Sequence, residues 1–137
     1  MLGARRLLVA AFCVAAAGCS GDSGGGTIKS EDDVTLLDVQ SQVFTPRCAL
    51  SGCHVGGDAP FGLDLSAGLA EGNIVGIPSA EVPSFLRVEP FNAVDSYLYM
   101  KLVGDPRIEG DPMPLFGGPL TGGQLTLIRD WIGQGAN

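Results

Sequence analysis

Cys48, Cys53 and His54 have the residue types and the spacing from which chemistry can be argued. Two thiols in one short loop can bond to the two vinyl groups on one edge of a porphyrin. An imidazole directly after the second thiol is placed to ligate the iron at its centre. The usual spacing for such covalent haem attachment is C-x-x-C-H, whereas here Ala49, Leu50, Ser51 and Gly52 separate the cysteines. The two additional residues need only bulge away from the ring, and Gly52, lacking a Cβ, eases the turn back. The adjacency of Cys53 and His54, which sets ligand against thioether, is intact.

Other chemistry competes for the same residues. Cys48 and Cys53 could form a disulfide, which an oxidising compartment favours. Zinc could take two thiolates and an imidazole, but a structural site needs a fourth ligand. His54 is the chain's single histidine, and no further cysteine lies beyond Cys53, so only a carboxylate such as Asp58 could complete that set. No Ser-His-Asp set and no paired-carboxylate site is visible, so the sequence reads as a carrier or binding protein and not as an enzyme.

These residues must be held by a small all-α domain. A first helix is expected over about Thr35 to Phe44, where Leu36, Val39 and Val43 recur at helical spacing, with Pro46 ending it. A second is expected over Asp95 to Val103, with Leu98 and Leu102 stacked and Gly104-Asp105-Pro106 closing it. A third follows Thr121 and Gln124, which have capping-box spacing. There Leu125, Ile128, Trp131 and Ile132 form one apolar face, and Gly135 is an end cap. A weaker helix lies near Ser66 to Ile74, and Tyr97 and Tyr99 read as packing residues. The rest is loop rich in Gly and Pro, notably HVGGDAPFGLDL and GDPRIEGDPMPLFGGPLTGG. Three to four short helices with this much loop cannot close a large core alone. A haem, large, flat and apolar, would fill the middle.

The chain begins with an exported pattern. Residues 1–18 place Arg5 and Arg6 before the apolar run LLVAAFCVAAAG. About 20 apolar residues are needed to span a bilayer, so this shorter run has the size and flanks of a secretory signal. Residues 19–34 then form a Cys-headed linker of Gly, Ser and acids with almost nothing to bury. As a flexible leash it would hold the domain at 35–137 about 20 Å from its start. Loss of the two leader arginines takes the net charge from −7 to −9. No basic patch is left to follow a phosphate backbone, which excludes nucleic acid as partner. An acidic surface suits an encounter with a basic protein.

Two resemblances follow from these residues. Ala16-Ala17-Gly18-Cys19 resembles the lipobox of bacterial lipoproteins. That resemblance implies cleavage before Cys19, lipidation of its sulfur, and a stable membrane anchor, since two or more acyl chains hold firmly. In such lipoproteins a residue such as Ser20 after the cysteine points to the outer membrane. The stretch from Leu36 to Asn137 resembles the small monohaem cytochrome c family, in its C-x4-C-H variant. The resemblance is carried by Val43 and Phe44 before the first cysteine, by GLDLS at 62–66, by DSYLYMKL at 95–102 and by MPLFGGPLTGGQLTLIRDWIGQGA at 113–136. It implies a cytochrome c-like fold with one covalent haem c, crossed first and last helices that bring Phe44 to Trp131, and a loop methionine as the sixth iron ligand.

By that resemblance the sixth ligand is Met113, followed by Pro114, in a segment stiffened by Pro112 and Pro119; Met100, on the second helix, is the rival and reads as core. Arg47, Arg87, Lys101 and Arg107 are each able to pair with a haem propionate, and the sequence does not choose among them. The function expected is electron transfer between redox partner proteins by a haem held at Cys48 and Cys53 and ligated by His54 and Met113. A gas-binding or sensory haem protein requires the sixth position to open. A haem-free surface lipoprotein closed by a disulfide is the remaining alternative.

Overall fold

The computed structural model describes residues 33–137. The leader, the lipidation candidate Cys19 and most of the linker lie outside the described residues. Among the described residues no helix is long and apolar enough to cross a membrane.

The described chain is all-α, with four α-helices: α1 (Leu36–Val39), α2 (Ala70–Ile74), α3 (Tyr97–Val103) and α4 (Gly122–Gly133). A short 3₁₀ turn covers Pro60–Gly62. No strand occurs among the described residues; two isolated bridges, Val75 with Val88 and Pro78 with Leu86, tie the segment between α2 and α3.

The first helix departs from expectation. It does not stop at Pro46, but runs on from α1 as a π-helical stretch over Gln40–Cys48 with Pro46 inside. Proline lacks an N–H and crowds the carbonyl four residues before it in an α-helix. The wider π turn relieves that crowding, as the Ala49 N–H reaches the Phe44 carbonyl five residues back at 2.7 Å. The carbonyl of Gln42, four before Pro46, accepts from the Gln124 side chain at 3.0 Å instead. The helix runs directly into the loop that follows, and Cys48 is the last residue of the helical stretch.

α1 opens with a capping box not singled out in the sequence. Thr35 Oγ1 accepts from the Asp38 N–H, and Asp38 Oδ2 accepts from the Thr35 N–H at 2.9 Å. α4 carries the expected one, Thr121 with Gln124, each satisfying a free amide of the first turn. α3 begins two residues later than expected, because Asp95 is engaged by Arg107 and Asn92 and Ser96 is in extended conformation. It ends where expected, with Gly104 at φ +68°, a left-handed position that glycine adopts without Cβ strain. The weak helix near 66–74 is confined to Ala70–Ile74.

α1 and α3 both pack against α4, and the π-helical extension reaches α4 through Phe44 and the Gln42 carbonyl. At the centre Phe44 and Trp131 are fully buried, with ring centroids 6.4 Å apart and planes at 88°. Such an edge-on pair adds about 0.5–1.5 kcal/mol beyond the area it buries. The Trp131 indole N–H donates to the Asn137 carbonyl at 3.1 Å, and the Leu36 N–H reaches the same carbonyl at 3.3 Å. The start of α1 is thereby tied to the end of the chain.

Candidate functional site

The Cys48–His54 loop closes on itself. The His54 N–H donates to the Cys48 carbonyl at 3.1 Å and the Cys53 N–H to the Leu50 carbonyl at 2.9 Å. Gly52 takes φ +78°, the left-handed turn its type allows. Cys48 is buried, Cys53 half-buried, and no disulfide joins them. Burial pushes the Cys48 thiol up to about 11, against a smaller opposing pull from Arg47, so it stays protonated at neutral pH.

His54 is clasped by the following segment. Its backbone carbonyl accepts from the Leu65 N–H at 2.9 Å, and its Nδ1 lies 3.2 Å from the Leu63 carbonyl. A carbonyl only accepts, so the proton sits on Nδ1 and Nε2 keeps its lone pair. Burial holds the imidazole below the ordinary histidine range, favouring the neutral ring. An imidazole with Nδ1–H on a carbonyl and Nε2 unprotonated is oriented for metal ligation. The 63–66 segment is itself pinned. Asp64 accepts from Ser66 and from the Gly56 N–H, and those bonds hold its carboxyl below the usual range. Gln40 donates to the Leu65 carbonyl and Asn73 to the Asp64 carbonyl.

Cys48, Cys53, His54, Leu63 and Leu65 line an apolar cavity of about 230 Å³, which Met113, Pro114, Leu115 and Phe116 border as well. Four residues singled out in sequence, Cys48, Cys53, His54 and Met113, thus border a single cavity although 65 positions separate the first from the last. Met100 does not border it and is buried on α3. Leu50, Phe61, Leu115 and Phe116 line the cavity while remaining exposed, an apolar surface that a large apolar ligand would cover.

The Met113 segment is hung from two cations. The Met113 N–H donates to the Lys101 carbonyl at 2.9 Å. Lys101 is buried, pairs with Glu81 at 2.8 Å, and donates from Nζ to the Glu109 and Asp111 carbonyls. At the far end, Arg47 Nη2 donates to the carbonyls of Gly117 and Gly118 at 3.1 and 2.6 Å. The residue before the first cysteine therefore grips the loop that carries the methionine. Lys101 and Arg47 were legible only as cations; that both reach loop carbonyls depends on packing, and Glu81 had no signal in the sequence.

The donor set fits a covalent haem: two free thiols, an oriented imidazole with Nε2 available, a thioether from a separate segment, and an apolar cavity that all four border. Among the described residues no three His, Cys, Asp or Glu side chains are grouped closely enough to hold an ion, and Asp58 does not border the cavity. Arg107 is withdrawn from the cavity, bonded to Asp95 at 2.7 Å and to Asp105 at 2.9 Å.

Comparison with protein-family models, with curated proteins and with solved structures finds no match to this chain.

Proposed function

We propose that this chain is a cytochrome c-like electron carrier, with one haem c joined to Cys48 and Cys53 and ligated by His54 and Met113. The observation that supports it most is the convergence of these four side chains on one apolar cavity, with His54 Nδ1 committed to the Leu63 carbonyl. Bound there, haem supplies a one-electron iron couple, whose potential a thioether ligand raises relative to a second imidazole.

The chain's own residues do the rest. Cys48 and Cys53 would hold the group as thioethers, by addition of each S–H across a vinyl double bond, which needs no oxidant and has no leaving group. The Leu63 carbonyl fixes the His54 ring and makes Nε2 a stronger donor. Leu63, Leu65, Ile74 and Leu102 line the cavity and exclude water from it. Lys101 and Arg47 restrain the loop that presents Met113. His54 and Met113 together would hold the iron and leave it no place for a substrate, so the protein would exchange single electrons with donor and acceptor proteins. The leader and Cys19 fit export and a lipid anchor on the extracytoplasmic side of a bacterial membrane, with the leash giving the domain reach to its partners.

The test is a pyridine haemochrome spectrum of denatured, exported protein together with its intact mass. Covalent haem at one per chain is expected. Thiols at Cys48 and Cys53 that alkylate freely in the mature protein would overturn the reading. Carbon monoxide added to the reduced protein separates carrier from gas sensor: resistance is expected, and prompt full binding would favour the sensor. Palmitate labelling with fractionation checks the anchor, and recovery in the soluble periplasm would remove it.

A further inference from the structure

Two of the four cations named for a ligand carboxylate are already met by carboxylates of the chain, and a third is held on one exposed loop. Arg107 lies between Asp95 and Asp105, away from the cavity. Lys101 borders the cavity but its charge is met by Glu81 at 2.8 Å. Arg47 borders it too, yet its Nη2 grips two carbonyls of the exposed 117–118 loop.

Arg87 differs. Like Arg47 it borders the cavity and pairs with no carboxylate among the described residues, but its bonds go to two separate segments and not to one loop. Its guanidinium is anchored from two separate segments, Nη1 on the Asn73 carbonyl at 2.8 Å and Nη2 on the Phe61 carbonyl at 2.7 Å. Its backbone is pinned as well: the Arg87 N–H donates to Ile77 and the Arg87 carbonyl accepts from Leu98, at 2.7 and 2.9 Å. Two carbonyls carry no formal charge, and a guanidinium has five N–H donors, so three remain unused. Burial pulls its pKa below the ordinary arginine value. A rigid cation partly removed from water, without a counter-carboxylate, in a chain of net charge −7, is a receptor prepared for an anionic group.

We infer that Arg87 receives a carboxylate of the ligand that fills this cavity, a propionate where that ligand is haem. The inference rests on the haem reading above and adds the residue that sets the ligand's rotation in its pocket. A cation at this place beside His54 also disfavours the more positive ferric iron, so its removal lowers the potential.

The test compares holo wild type with Arg87→Met, Arg47→Met and Arg107→Met, reading covalent haem content, midpoint potential and the propionate bending band in resonance Raman spectra. Arg87→Met is expected to weaken the reduction equilibrium about tenfold, equivalent to 59 mV for one electron, and to shift the propionate band. Arg107→Met, with the same charge change, is expected to leave the band in place and move the equilibrium less than about twofold, since exposed charges are screened by salt. If Arg87→Met does not mature, Arg87→Gln, which keeps donors for the two carbonyls but not the charge, is expected to give the same drop. Full haem content with unchanged potential and band in the Arg87 variant overturns the assignment, as does a larger change in Arg47→Met. Wild type without covalent haem overturns the haem reading itself, a different outcome from an intact haem indifferent to Arg87.

Discussion

The cavity is bounded by two segments built on different principles. The cysteine segment, residues 40–66, is held by bonds between near neighbours. The π-helical stretch runs into Cys48, the loop bonds back from His54 to Cys48, and the Leu63 and Leu65 backbone clasps His54. The methionine segment, residues 104–120, has almost no regular structure and hangs on Lys101 and Arg47, cations that belong to α3 and to the cysteine segment. On the proposed haem reading, a covalently attached edge suits the first arrangement. A weaker axial ligand that must be held at a set position suits the second, where two long side chains act as tethers. One end of this site is therefore written into local chain geometry, and the other exists only while the helices are packed.

Four outcomes would break or sharpen that contrast. The largest is Phe44→Ala, which removes the buried ring that backs the cysteine segment and meets Trp131. It should cost about 3–5 kcal/mol, and denaturant melts should show both segments lost in one transition. A variant that frees only one segment would contradict the shared core.

Lys101→Met leaves Glu81 without its partner and deprives the Glu109 and Asp111 carbonyls of a donor. Breaking a buried pair by removing one member costs roughly 3 kcal/mol. Amide exchange should accelerate over 105–113 while 54–65 stays protected; equal acceleration in both would erase the distinction between the segments.

Arg47→Gln, at an exposed site, should cost only about 1 kcal/mol and loosen 114–118 without changing α4. In the haem-loaded protein it should also make carbon monoxide binding measurable, because the tether at the far end of the methionine segment is cut.

The smallest effect is acid sensitivity. Hydrogen bonds from Arg107 hold the Asp105 carboxyl down to about 2, at the start of the methionine segment. The folded pKa is depressed below the ordinary 3.8, so the contribution is complete above pH 4 and is lost as pH falls towards 2. Asp105→Asn should flatten the stability profile in that window. An unchanged slope would mean that the Arg107 cluster contributes nothing there.

Much of the domain was readable from local pattern. The capping-box spacing and apolar face of α4, the glycine that ends α3, the turn at Gly52 and the cluster Cys48-Cys53-His54 all depend on residues within one or two turns of each other. The same reasoning would have found the Thr35–Asp38 box. It failed at Pro46, because proline's effect was judged for an α-helix alone. The π turn, and the Gln124 side chain that satisfies the Gln42 carbonyl 82 residues away, could not be inferred from neighbours in sequence.

The sequence by itself determined the chemistry on offer: two thiols beside one imidazole, a proline-flanked methionine, four cations and an acidic surface. Only the tertiary structure decided that Met113 and not Met100 borders the cavity with His54, and that Arg87 stands on its wall without a carboxylate partner, held by carbonyls of two separate segments. The reason is physical. Spacing along a helix or turn is set by covalent geometry, which the chain carries at every position. The meeting of residues tens of positions apart is set by which apolar faces pack, and that is settled only when Phe44, Trp131 and their neighbours close the core.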